Sequence, residues 1–268
     1  MLGSDLVSIL EAKGEHVTGL HRGNINLSSL DSVAGAGLTD FDIVINCVAY
    51  TKVDLAEDEP DTAFEVNAEI PGRLAQVLSG SSTKLIHIST DYVFDGSGDS
   101  PYLPTDPKQP LGVYGKSKSA GEDAVLDANP LAQVIRTSWL YGANGACFPK
   151  TIAAKLVGGA ELRVVDDQLG SPTHTIDLAE FIFRTVVDGD QRRILHGVSS
   201  GSCSWFEFAQ AIRESVEGAG SVSPVSTSEY PTKAPRPPYS VLEPSSVAGW
   251  QIADWRDCWN RAAGLVLA

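Results

Sequence analysis

Lys84–Ser89 reads KLIHIS, an apolar run with β-branched Ile86 and Ile88 that ends on the hydroxyls of Ser89 and Thr90. A run this short suits a strand buried on both faces better than a helix. FDIVIN at Phe41–Asn46 and AQVIRT at Ala132–Thr137 share the pattern. Helical stretches near 62–79 and 112–127 separate the three, and a helix over 2–13 leads into a strand near His16–Leu20. Strands alternating with helices predict parallel pairing through helical crossovers. The expected fold class is α/β, a doubly wound parallel sheet.

Beyond residue 148 the pattern is mixed. Helices are predicted near 149–157, 176–188, 204–217 and 254–263, and short strands near 162–165 and 194–198. Ser221–Pro238 is rich in Ser, Pro and Thr, and proline removes backbone donors, so this stretch is expected to be irregular. Two regions are expected: a sheet domain over 1–148, and a smaller mixed region over 149–268 that caps the sheet's carboxyl edge and returns some segments to it.

The chain has 268 residues, 43% hydrophobic and 20% charged, enough to bury a sizeable core. No apolar stretch approaches the roughly 18 to 20 residues of a membrane span, and the N-terminus lacks the order of a signal peptide. A cytoplasmic protein with no membrane partner is expected. With 34 acidic against 20 basic side chains the net charge is −14, which would repel a phosphate polymer, so nucleic acid is not an expected partner. Cys47, Cys147, Cys203 and Cys258 are too scattered for a zinc site or a disulfide framework. His16, His87, His174 and His196 are equally dispersed and read as core or surface residues.

Tyr114 and Lys118 lie four apart in VYGKSKSAGE (113–122), on one face of a predicted helix. Chance alone gives about 0.2 such pairs in a chain of this composition, and a solvated helix face would account for one. IHISTDYVFDG (Ile86–Gly96) adds weight, because it delivers Ser89 and Thr90 at the end of a buried strand. Hydroxyl, phenol and ammonium together suit ketone reduction. Hydride adds to carbon while a proton must reach oxygen, and a phenol can give it if a cation draws its pKa of about 10 toward neutrality. Lys118 is the expected cation. Thr90 is the expected donor to the carbonyl, where it steadies developing charge.

Seven segments then appear in order: VINCVAYTKVDLAE (44–57), HISTDYVFDG (87–96), VYGKSKSAGE (113–122), RTSWLYG (136–142), VVDDQLGSPT (164–173), SWFEFAQAI (204–212) and RPPYSVL (236–242). Together they resemble the extended short-chain dehydrogenase/reductase superfamily, and within it the dTDP-4-dehydrorhamnose reductase family. The resemblance implies a Rossmann-like NADP-binding domain over 1–148 and a mainly substrate-binding region over 149–268. It also implies NADPH-dependent reduction of the 4-keto group of dTDP-4-dehydrorhamnose to dTDP-L-rhamnose. Two alternatives stay open: a non-catalytic regulator like the β subunit of S-adenosylmethionine synthetase, and another nucleotide-sugar epimerase or dehydratase. Intact Thr90, Tyr114 and Lys118 weigh against the first, and net NADPH consumption would separate the second.

By the same resemblance Tyr114 is the general acid, Lys118 tunes it and binds the nicotinamide ribose, and Thr90 polarises the ketone beside Ser89. Asn46, Cys47, Val48, Ala49 and Tyr50 match a loop that lies along the cofactor, although the family more often has Ala where this chain has Cys47 or Val48. Trp139 matches the position that contacts the sugar, and Val53 is expected to line the same pocket; a core tryptophan would read the same way. Arg236 suits the diphosphate of a dTDP-sugar, bidentately, or is a surface arginine. His21-Arg22, at the end of the second expected strand, suits NADP, with NADH still open, since an acidic residue would select NAD there. Asn26-Leu27 falls where relatives often carry an acid near the adenine. Asp5 alone clearly matches a magnesium-binding set known in some relatives, so no metal site is predicted and magnesium is left open. A homodimer is also left open.

A dinucleotide-binding sheet opens with a strand and a glycine-rich turn whose backbone approaches a pyrophosphate. Met1-Leu2-Gly3 reads as the last glycine of such a turn, with the first strand and earlier glycines missing. The expectation is a start assigned too late, in preference to a truncated or degraded product, because loss of a central strand would leave backbone groups without partners.

Overall fold

Each of the three apolar runs becomes a strand. The computed structural model describes residues 1–268. In chain order its first half holds α1 (Leu2–Ala12), α2 (Leu30–Ala34), β1 (Ile43–Asn46), α3 (Val53–Ala56), α4 (Pro60–Phe64), α5 (Ile70–Leu78), β2 (Lys84–Thr90), α6 (Val113–Ala128) and β3 (Gln133–Thr137). The second half holds β4 (Leu140–Tyr141), α7 (Phe148–Val157), β5 (Glu161–Val165), β6 (Leu169–Gly170), β7 (Thr173–His174), α8 (Thr175–Val187), β8 (Ile194–His196), β9 (Cys203–Ser204), α9 (Trp205–Glu214), β10 (Ser221–Val225) and α10 (Trp255–Leu267).

The main sheet has the order β1-β2-β3-β8, all parallel, with Asn46 beside His87 and Thr90 beside Thr137. Alternation along β2 explains the double winding. Leu85 packs with Ile70, Leu74 and Leu78 of α5 and Val125 of α6, while Ile86 and Ile88 join Leu2 and Leu6 of α1 and Leu178, Phe181 and Ile182 of α8 on the other face. His87 and Ser89 therefore share the α6 face, which sets up the site. A further core joins Ile152 and Leu156 of α7, Phe208 and Ile212 of α9, and Trp259 and Val266 of α10.

Three expectations need correcting. His16–Leu20 forms no strand and is mostly exposed, because no neighbouring strand supplies the ladder bonds a strand needs; β1 pairs with β2 alone. Ser221–Pro238 is not wholly irregular, since β10 pairs parallel with β5. Pro224 is tolerated because this two-stranded sheet leaves β10 an edge strand whose outer N–H positions need no partner. The helix expected over 62–79 is also interrupted by a wide π turn at Glu65–Glu69.

Candidate active site

Two ends meet at the carboxyl edge of the sheet: the last residue of β2, Thr90, and the first turn of α6, which carries Tyr114. Gly115 makes the approach possible. A Cβ there would lie 2.2 Å from the Tyr92 carbonyl oxygen, so only glycine lets α6 rest on the backbone just past Thr90. Gly121 does the same one face along, where a Cβ would lie 1.9 Å from the Asn67 oxygen in the π turn. The α6 N-terminus has no cap of its own; Glu57 accepts the Val113 N–H at 2.8 Å in its place.

Tyr114 is half-buried, edge-on to Tyr92 with ring centres 5.6 Å apart, and near Thr90, whose own hydroxyl donates to Asp91 at 2.9 Å. Desolvation pushes the phenol up to about 12; the Thr90 contact opposes this and the Asp91 charge adds to it. No effect of Lys118 on the phenol is resolved in this arrangement. Lys118 is 2% exposed, and its Nζ donates to the Ile88 carbonyl at 2.6 Å. Burial lowers it to about 8, against the opposing pull of Glu122 and, were its thiol ionised, of Cys47. A phenol held neutral is nonetheless the form that can donate a proton.

Asn67 ties the remaining wall together. Its amide oxygen accepts the Tyr50 N–H at 2.8 Å, and its nitrogen donates to the Tyr50 carbonyl at 3.1 Å and to Ser117 Oγ at 3.0 Å. The loop 47–50 is thereby fixed to α6. Cys47 also faces Gly3 of α1, whose Cβ would sit 3.8 Å from its own, an ordinary contact. Glycine at position 3 is thus permitted here without being required.

Arg236 donates to Asp54 at 2.8 Å, which places it beside Val53 at the start of α3, and both Arg236 and Asp54 act electrostatically on Tyr92. Gly96, at φ +80 and packed on Pro237, seats this segment against the β2 end. Trp139 lies two residues past β3 in the left-handed region, φ 45, stacked on Trp205 at 3.5 Å. Gly170 leaves room for its ring.

Ser89 is buried on β2 next to Thr90. His21, Arg22 and Asn26 lie apart on an exposed turn, with Leu27 half-buried beside them; lacking the expected strand, His21-Arg22 does not stand at a strand end. Asp5 is buried and accepts from Asn144 at 2.8 Å. Sequence reasoning passed over Glu57, Asn67, Asp54 and Asp91. Glu57, Asn67 and Asp54 act through contacts far away in the chain, whereas Asp91, which accepts from the adjacent Thr90 hydroxyl, offered a local signal.

A nicotinamide nucleotide fits part of this wall. A buried lysine nitrogen and the Thr90 and Tyr114 hydroxyls suit its ribose end, and the N–H groups of the first turn of α1, beside Cys47, suit a diphosphate.

The family model described as the RmlD substrate binding domain matches residues 1–264. The chain is 41% identical to a dTDP-4-dehydrorhamnose reductase of Mycolicibacterium smegmatis, over 100% of this chain and 83% of that protein. The chain belongs to the dTDP-4-dehydrorhamnose reductase family. Among solved members, a reductase from Clostridium acetobutylicum superposes with TM-score 0.94 at 32% identity, covering 100% of this chain and 96% of that one. Another, from Bacillus anthracis in complex with NADP, gives 0.92 at 34% identity, covering 97% and 94%. A dTDP-glucose 4,6-dehydratase from Streptomyces venezuelae shares the fold alone, at 15% identity and TM-score 0.78 over 98% of this chain and 93% of that one. No helix of the chain is long and apolar enough to cross a membrane.

Proposed function

We propose that this member of the family reduces the 4-keto group of dTDP-4-dehydrorhamnose to dTDP-L-rhamnose with NADPH, in the cytoplasm. The observation that carries the reading is the packing of the first turn of α6, which holds Tyr114, against the end of β2 at Thr90–Tyr92, with Lys118 one turn further along α6. The bound dinucleotide supplies the hydride. Tyr114, kept protonated by its buried surroundings, gives its proton to the ketone oxygen. The Thr90 hydroxyl, which donates to Asp91 at 2.9 Å in this structure, turns to the same oxygen and stabilises the charge that gathers there. Lys118 holds the nicotinamide ribose, beside Ser89 and the loop from Asn46 to Tyr50, with Gly3 close by.

On the substrate side Trp139 and Val53 flank the sugar. Arg236, once released from Asp54, meets the diphosphate with its planar fork. Arg22 favours NADPH over NADH by charge, with His21 on the same turn and Asn26 and Leu27 toward the adenine. The test follows NADPH absorbance with the purified dTDP-ketosugar. Stoichiometric NADPH loss with formation of dTDP-L-rhamnose is expected. A folded protein that leaves NADPH untouched would contradict the reading, and turnover without net NADPH loss would favour epimerase or dehydratase chemistry.

A further inference from the structure

Lys118 faces groups from three elements: the Ile88 carbonyl and the His87 ring on β2, Cys47 in the loop after β1, and Glu122 one turn along its own helix. The Ile88 carbonyl takes one N–H. His87 Nε2, at 3.4 Å, decides what else the lysine nitrogen can do.

The His87 ring is fully buried, and burial together with Lys118 keeps its pKa well below the usual range, so it is neutral and carries a single ring proton. Which nitrogen carries it is settled one strand away, where Asn46 pairs with His87 across β1 and β2. Asn46 Oδ1 accepts the Val48 N–H at 3.0 Å, a role an amide nitrogen cannot fill. Its Nδ2 is thereby left facing His87 Nδ1 at 3.1 Å and donates to it. A neutral imidazole that accepts at Nδ1 carries its proton on Nε2, the nitrogen aimed at Lys118. An ammonium has no lone pair to receive that N–H. An amine has one, and still donates to Ile88.

We propose that His87 is a positioning residue for Lys118, locked by Asn46 in its Nε2–H tautomer so that it aims a donor at the lysine nitrogen and loosens the ammonium's hold on its proton. The other neighbours leave room for this. Cys47 is a neutral thiol, pushed up to about 12 by burial, and the Tyr114 phenol is likewise neutral. Glu122, the one charge that favours the ammonium, is engaged by Arg136 through two hydrogen bonds of 2.9 and 2.8 Å. The bearing on catalysis rests on the reductase reading: a lysine that exchanges its proton near neutral pH can restore the one Tyr114 gives up.

The test needs neither cofactor nor substrate. In the full chain labelled with 15N-histidine, two-bond couplings at pH 7 should show His87 protonated at Nε2 alone; an Nδ1–H ring or a charged ring overturns the inference. In protein labelled with 13C-lysine, the Lys118 side chain, assigned with Lys118→Arg, should titrate below the other lysines. Asn46→Ala lets the proton move to Nδ1 and Nε2 become an acceptor, so the Lys118 midpoint should rise by about one pH unit, the scale of one neutral hydrogen bond. An unchanged midpoint means that burial alone sets the lysine and overturns the inference. Should Asn46→Ala fail to fold, the tautomer of the unaltered protein decides. An inactive protein with the Nε2–H tautomer counts against the reductase reading only, and an active one with Nδ1–H against this inference only.

Discussion

Gly115 and Tyr92 are in backbone contact: a Cβ on the glycine would stand 2.2 Å from the tyrosine's carbonyl oxygen. The start of α6, and Tyr114 with it, is therefore placed by what position 115 lacks. Gly115→Ala should cost about 1–3 kcal/mol or more in stability, since the obstacle is backbone. It should also lower turnover about a hundredfold by displacing the phenol. Gly264→Ala is the control, because nothing lies within 4 Å of that Cβ in α10, and it should hold or raise stability. Chemical denaturation and kcat for both variants check this.

Glu122 and Arg136 form an ion pair with both side chains buried. Glu122→Gln leaves the guanidinium without its counter-charge, and a loss of about 3–5 kcal/mol is expected. Arg136 holds the Glu122 carboxyl below its usual range, so the pair's contribution is present above the ordinary carboxylate pKa and lost as pH falls through the depressed one. Urea unfolding at pH 7 and at acid pH should show the gap between wild type and Glu122→Gln narrowing as the pH drops.

Asp91 works in the opposite sense. Burial raises its carboxyl from 3.8 to about 6, so in the folded protein its charge is a cost above about 6 that fades as pH falls toward 3.8. Asp91→Asn removes that cost, so its stability relative to wild type should be greater at pH 7 than at pH 4, by on the order of 1–3 kcal/mol. A difference independent of pH would show that Asp91 does not carry the burden.

Gly170 gives Trp139 its place: a Cβ there would meet the indole at 2.4 Å. Gly170→Ala should part the stacked Trp139–Trp205 pair and weaken its near-ultraviolet circular dichroism. With Trp139 against the sugar, KM for the dTDP-ketosugar should rise more than kcat falls.

Much of this was legible in the residues. The runs FDIVIN, KLIHIS and AQVIRT declare their strands because strands buried on both faces need no polar alternation. Tyr114 and Lys118 were legible through helical spacing. His16–Leu20 misled because strand propensity does not supply a partner, and β10 was hidden because its pairing with β5 lies some sixty residues back in the chain. The actual partner of Lys118 was equally hidden. Spacing says that two side chains share a face, but not that the buried lysine's nitrogen donates to the Ile88 carbonyl.

The most direct test of the account compares wild type with Tyr114→Phe, following NADPH oxidation against dTDP-4-dehydrorhamnose and NADPH binding in parallel. Removing one phenol oxygen should cut kcat by about 10²–10⁴ while NADPH still binds. Equal turnover by the two proteins would contradict the proposal that Tyr114 delivers the proton.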